Sequence, residues 1–287
     1  MNHPSLKRVL VGVWVAVLAL TARGEPVAAA AECDLVVYGG TAAGVTASTQ
    51  ASRMGLRVVL IEPSRHIGGL SSGGLGATDI GNKQAIGGLA REFYRRVKQF
   101  YDRPDAWIHQ TPDSYNNPRH TPGDDAMWTF EPHVAERIFR EMLQEAGVET
   151  ILGERLRRPD GVIKENARIR EIVMESGRCF AAKIFIDATY EGDLMAAAGV
   201  TCRIGRESET EYGENLNGNR PSLAVHHQLM PGVDPWVVPS DPSSGLLPGI
   251  ENAGPGEEGA GDHRVQAYNL RLCFTDAPQN RLPIEKP

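Results

Sequence analysis

The clearest chemistry in the chain lies in Gly39-Gly40-Thr41-Ala42-Ala43-Gly44 and in Glu62 further along. A glycine at the start of such a turn lets the backbone bend sharply, and one at its end lets the following helix pack closely on its strand. The amides that open that helix carry partial positive charge and no helical acceptor, which suits a pyrophosphate. Glu62 is an acceptor-only carboxylate, as the hydroxyls of an adenosine ribose require. In the dinucleotide pattern GxGxxG a glycine stands where this chain has Thr41. That replacement predicts either a hydroxyl-to-phosphate contact or a shifted turn.

The elements that must position these residues are legible on either side. Leu35 to Tyr38 is a short apolar run of the kind that forms a buried parallel strand, Val45 to Ala51 continues as a helix of small residues, and Arg57 to Ile61 is a second apolar run ending on Glu62. Strand, glycine turn, helix, strand and acid stand in the order of a dinucleotide-binding βαβ unit. Directly after it comes His66-Ile67-Gly68-Gly69-Leu70-Ser71-Ser72-Gly73-Gly74-Leu75-Gly76, with five glycines between positions 68 and 76. A Gly68-Gly69 doublet shortly after the ribose acid is a flavin signature, and nicotinamide enzymes lack it there. It favours FAD over NAD.

Further on, periodicity predicts helices over Ile86 to Arg103 and Glu131 to Gly147, separated by a long polar loop over 104–125. Strands are predicted at Val148 to Leu152, Ala167 to Met174 and Cys179 to Ile186, the last two as a hairpin. The second hairpin strand runs into Asp187-Ala188-Thr189-Tyr190-Glu191-Gly192-Asp193-Leu194 and a short helix. Small Ala188 and Thr189 at a strand's carboxyl end suit a ligand crossing the top of a parallel sheet, and Asp187, Glu191 and Asp193 mark a polar site or an ion-paired junction. Beyond Arg203 the reading is sparser: a polar loop to Arg220, strands at Leu223 to Leu229 and Ala267 to Phe274, and a loop over 239–262 holding ten Gly or Pro.

The expected organisation is a signal peptide over 1–31, a Rossmann-like FAD-binding α/β domain over 32–202 with a parallel sheet, helices and a β-hairpin or meander, and over 203–287 the start of a substrate-side α+β region. Lys7 and Arg8, the apolar stretch Val9 to Leu20 and the small residues to Ala31 have the layout of a secretory signal, and twelve apolar residues are too few to span a bilayer. Export is therefore expected, with no stable membrane span. The formal charge is −6. A mildly acidic chain without a basic run gives no support for nucleic-acid binding. Cys33, Cys179, Cys202 and Cys273 have no metal-ligand spacing and read as small buried hydrophobes, with one disulfide possible. No metal is expected.

Four motifs carry a family resemblance: YGGTAAG at Tyr38 to Gly44, HIGGLSSGGLG at His66 to Gly76, FIDATYEGDL at Phe185 to Leu194, and QAYNLRLC at Gln266 to Cys273. The chain resembles the bacterial FAD-dependent oxidoreductases related to succinate-dehydrogenase flavoproteins and hydroxybenzoate hydroxylases, and in particular exported members with these motifs, some of which are labelled xanthan lyases. No residue here supports lyase chemistry. The resemblance implies pyrophosphate over Gly39, Gly40, Thr41, Ala42, Ala43 and Gly44, ribose on Glu62, and Gly68, Gly69, Ala188 and Thr189 near the flavin. Oxidation of an alcohol or amine also needs a proton acceptor, for which His66, Glu191, Asp193, His226 and His227 are the candidates; His66 is alternatively a covalent flavin tether. Members of the family continue past the point matching Pro287, so a longer enzyme is expected. Three functions follow: hydride transfer from a small polar, sugar-like substrate to FAD and on to an unknown electron acceptor; a non-catalytic flavin- or nucleotide-binding remnant; or an NAD(P)-linked dehydrogenase.

Overall fold

The computed structural model describes residues 33–225, 230, 232–266 and 271–283. The expected signal peptide lies outside them, as do His226 and His227. Strand β1 (Cys33–Tyr38) occupies the centre of a six-stranded sheet. Helix α1 (Ala42–Arg53) follows the glycine turn and leads to β2 (Val58–Glu62), which pairs parallel to β1. After α2 (Gly88–Tyr101) and α3 (Pro132–Glu145), β3 (Glu149–Leu152) pairs parallel to the outer side of β2. The chain then forms an antiparallel meander of β4 (Val162–Glu165), β5 (Arg168–Val173) and β6 (Cys179–Asp187). Strand β6 returns to the sheet parallel to β1, giving the order β3-β2-β1-β6-β5-β4. A short helix α4 (Asp193–Ala197) closes this part.

Both faces of β1 and β2 are covered, which is why their sequences are continuously apolar rather than alternating. Leu35, Val37, Val58 and Leu60 pack on the side of α1, α2 and α3, against Val45, Val97, Val134, Ile138 and Met142. On that side the rings of Phe93 and Phe139 stack at 4.4 Å between centroids. Val36, Tyr38, Val59 and Ile61 face the meander side, with Leu156, Ile172, Met174, Phe180 and Leu194. The Tyr38 hydroxyl is buried there and accepts the Leu156 N–H at 2.8 Å, fixing the loop that leaves β3 to the central strand.

Several expectations from sequence change. Strand β4 is new. The 239–262 loop is interrupted by β8 (Asp241–Leu246), paired antiparallel with β7 (Trp236–Val238). Its Gly and Pro content hid a two-stranded ribbon, because such a ribbon needs no buried face and so no apolar alternation. The polar 203–220 stretch contains a single helical turn, α5 (Glu209–Tyr212). No strand starts at Leu223: Pro221–Leu223 is a 3-10 turn, and 226–229 lie outside the described residues. Likewise 271–274 have no regular structure, while 267–270 are outside the described residues. Cys33 is buried, its thiol donating to the Ala181 carbonyl at 3.3 Å, but Cys202 and Cys273 are exposed, and all four are free. The reading of the cysteines as buried hydrophobes therefore fails for these last two.

The three helices are stapled on their outer side. Arg53 of α1 meets Glu92 of α2 at 2.8 Å, and Arg96 bridges Glu92 at 2.8 Å and Glu145 of α3 at 2.6 Å. Hydrogen bonds from Arg53 first, then from Arg96, outweigh burial and hold the Glu92 carboxyl down to about 2. The folded state thus favours ionised Glu92. Its stabilisation is complete above the ordinary value of 4.5 and is lost as pH falls toward about 2. Glu92→Gln should therefore flatten the acid limb of stability in that window, as read by denaturation midpoints at successive pH values. Tyr38→Phe leaves the buried Leu156 N–H without its acceptor. It should lower unfolding stability by about 1–3 kcal/mol in urea titration.

Candidate cofactor site

The site is assembled where β1, β2 and β6 end. Gly39 has φ +107, and a Cβ there would lie 2.7 Å from the Ala188 carbonyl carbon and the Thr189 nitrogen. Only glycine lets the first turn press on the end of β6. A Cβ at Gly44 would collide with the Gly39 carbonyl oxygen, so that glycine sets how closely α1 approaches β1. Between them, Thr41 is the N-cap of α1: its hydroxyl accepts the Gly44 N–H at 3.2 Å and donates to the Ala188 carbonyl at 2.8 Å. The hydroxyl thus caps α1 and braces the turn against the end of β6. Ala42 and Ala43 begin the helix, and their amides have no intrahelical acceptor.

Glu62 sits at the end of β2 as expected, and it also ties the turn together. One carboxylate oxygen accepts the Gly40 N–H at 2.6 Å and the other the Ser64 N–H at 2.7 Å. Each oxygen keeps a further lone pair for an incoming hydroxyl. The glycine loop is joined to the same turn, since the Gly68 N–H donates to the Gly40 carbonyl at 2.7 Å. The other side of the loop is fixed to α3. Glu136 meets His66 Nδ1 at 3.0 Å and the Ile67 N–H at 3.3 Å. Burial would raise the Glu136 carboxyl, but bonds from His66, Arg140 and Ile67 outweigh it and hold it below the usual range.

A cleft of about 990 Å³ runs across these pieces. It is at the upper end of small-molecule sites. Gly39, Thr41, Glu62, His66, Gly69 and Thr189 all line it. The structure therefore brings together residues from the three motifs near the sheet, although they lie far apart in sequence. Arg271, Leu272 and Cys273, from the fourth motif, line the same cleft.

The candidate proton acceptors divide. His66 lines the cleft but is paired with Glu136, and its side chain is 79% exposed. Asp193 is paired with Arg158 at 2.5 Å, and its N–H donates to Thr189 Oγ1. Asp187, expected to mark a polar site or an ion-paired junction, accepts from the Thr189 N–H and hydroxyl and from the Met195 N–H. Glu191 lines the cleft and makes no ion pair among the described residues. Sequence reasoning missed Tyr190, Arg155 and Arg158, which also line it. Tyr190 was within a recognised motif, and the arginines of Arg155-Leu156-Arg157-Arg158 formed a visible basic cluster just after β3. Among the described residues no group of three His, Cys, Asp or Glu side chains is arranged to hold a metal, and no helix is long and apolar enough to cross a membrane.

The donor set fits FAD: a glycine turn at a helix start, an acid with free lone pairs, and a glycine loop bordering one cleft. Thr41→Val, which keeps the shape and deletes the hydroxyl, should cost about 1–2 kcal/mol of stability. It should also weaken FAD binding in a fluorescence titration, while Thr41→Ser retains both properties.

Comparison with known proteins agrees on the cofactor. Residues 34–287 match the family model described as FAD dependent oxidoreductase. No curated protein matches. Among solved structures, the L-proline dehydrogenase from P. horikoshii is similar at 18% identity and TM-score 0.38, over 62% of this chain and 59% of that one. The L-amino acid deaminase from Proteus vulgaris is similar at 16% identity and TM-score 0.41, over 62% and 58% respectively. A geranylgeranyl bacteriochlorophyll reductase-like protein from Thermoplasma acidophilum is similar at 21% identity and TM-score 0.39, over 59% and 42%. The chain thus spans less than two thirds of the length of each. The family's cofactor is FAD, which sets the NAD(P) reading aside. The chain belongs to the FAD-dependent oxidoreductase family.

Proposed function

We propose that the protein is an exported FAD-dependent oxidoreductase that takes hydride from a small polar, sugar-like substrate and passes electrons to a separate acceptor. The observation that carries this reading is the single cleft on which Glu62, Gly39, Thr41, Gly69 and Thr189 converge. In it, the amides opening α1 hold the pyrophosphate, Glu62 accepts the ribose hydroxyls, and the glycine loop borders the flavin. Bound FAD supplies the hydride-accepting centre. The chain supplies orientation and a proton acceptor. Glu191 is the best placed group for that task, as a cleft carboxylate that no arginine neutralises among the described residues. Arg155 and Arg158, on the same cleft, suit polar or anionic substrate groups. Residues 203–287 begin the substrate side, and Arg271 to Cys273 contribute to the wall.

The reading is tested by the visible spectrum of the purified protein, followed by acid precipitation. A flavin spectrum released into the supernatant is the expected result. Colour retained in the pellet, and lost in His66→Ala, would assign His66 as a covalent tether. A folded, colourless protein that stays colourless after incubation with FAD would overturn the reading. Bleaching of bound flavin by a polyol or sugar without air distinguishes an enzyme from a non-catalytic flavin-binding remnant.

A further inference from the structure

Tyr190 crosses the cleft. Its backbone belongs to the turn that follows β6, and that turn is rigidly held. Asp187 accepts from the Thr189 N–H at 2.9 Å and the Thr189 hydroxyl at 2.7 Å, and Thr189 Oγ1 in turn accepts the Asp193 N–H at 3.0 Å. Arg158 pairs with Asp193 at 2.5 Å. From this base the phenol reaches the opposite rim, where its oxygen accepts the Leu70 N–H at 2.7 Å. Gly69 makes room for it: φ there is +57, and a Cβ would collide with the phenolic oxygen.

The contact has the character of a latch rather than of core packing. Tyr190 is 58% exposed, so breaking the bond uncovers little apolar surface. The glycine loop is independently secured at Gly68 by the Gly40 carbonyl, and at His66 and Ile67 by Glu136. Ser72 Oγ closes it locally, donating to the Ile67 carbonyl at 2.6 Å. The Leu70 carbonyl keeps the Gly73 N–H at 3.2 Å and the Leu75 N–H at 3.1 Å, so losing the Tyr190 bond releases the Leu70 amide from the opposite rim without unfolding the loop. The two segments it joins, 188–191 and 68–70, border the track from Glu62 to the flavin end of the cleft.

We propose that Tyr190 is a positioning residue that latches the glycine loop to the β6 turn, and that breaking the Tyr190–Leu70 bond is the step that admits and releases the dinucleotide. This rests on the cofactor placement given above. Tyr190→Phe keeps the ring and removes only the acceptor. Stopped-flow flavin fluorescence on the full chain should show association and dissociation of FAD both accelerated about fivefold, with the dissociation constant changed by less than about twofold. Amide exchange of the 68–73 segment, followed without flavin, should be faster in the variant.

Unchanged rates would overturn the latch. Faster dissociation with unchanged association would also overturn it, because the phenol would then be a contact to the bound cofactor. Failure of the unmodified chain to bind FAD would overturn the cofactor placement and the gating together. Faster exchange in the variant under that outcome would reduce the contact to a tie within the loop.

Discussion

The close approach of the Gly39–Gly44 turn to the end of β6 is the constraint on which the rest of the site depends. Gly39 must lack a side chain for the Ala188–Thr189 backbone to reach it, and Gly44 must lack one for α1 to settle on β1. Thr41 then locks the arrangement by serving the helix and β6 with one hydroxyl. Residues nearly 150 positions apart are fixed relative to each other by this contact, since the Thr41–Ala188 bond spans 147 residues. A side chain in place of the middle glycine is thus compensated by the work it does.

Polar groups around the cleft are used mainly to hold backbone. Glu62 fastens the turn and Ser64, Glu136 fastens the glycine loop, and Asp187 fastens Thr189 and the first turn of α4. A charged group near a low-dielectric interior needs partners, and these carboxylates find them in N–H groups that would otherwise be unpaired. The consequence for function is a track whose backbone is tied at several points. Tyr190 is the exception, held by one exposed bond across the track.

Much of this was legible in the sequence. The apolar runs of β1 and β2 were long and uninterrupted because both faces are buried, and α2 and α3 were periodic because only one face of each is. The β6 strand and its hairpin partner were found for similar reasons. The elements that escaped notice, β4 and the β7–β8 ribbon, are mostly exposed and carry no burial pattern. Of the residues lining the cleft, Gly39 and Gly69 were legible because the backbone there excludes a side chain, and Glu62 and the DATYEGD segment because of their place at the ends of strands. Arg155 and Arg158 could not be assigned, because a surface arginine looks the same whether it lines a cleft or faces bulk water.

What the sequence determined by itself was the βαβ unit, the helix stripes and the family. The first two follow from local chain geometry and from burial, which leave periodic traces, and the family from a resemblance carried by four motifs. Only the tertiary structure decided which partners each polar group takes. It made Thr41 a cap and cross-brace, paired Asp193 with Arg158 and His66 with Glu136, and left Glu191 without an ion pair among the described residues. Those choices depend on distances between segments far apart in the chain, and no spacing within one segment encodes them.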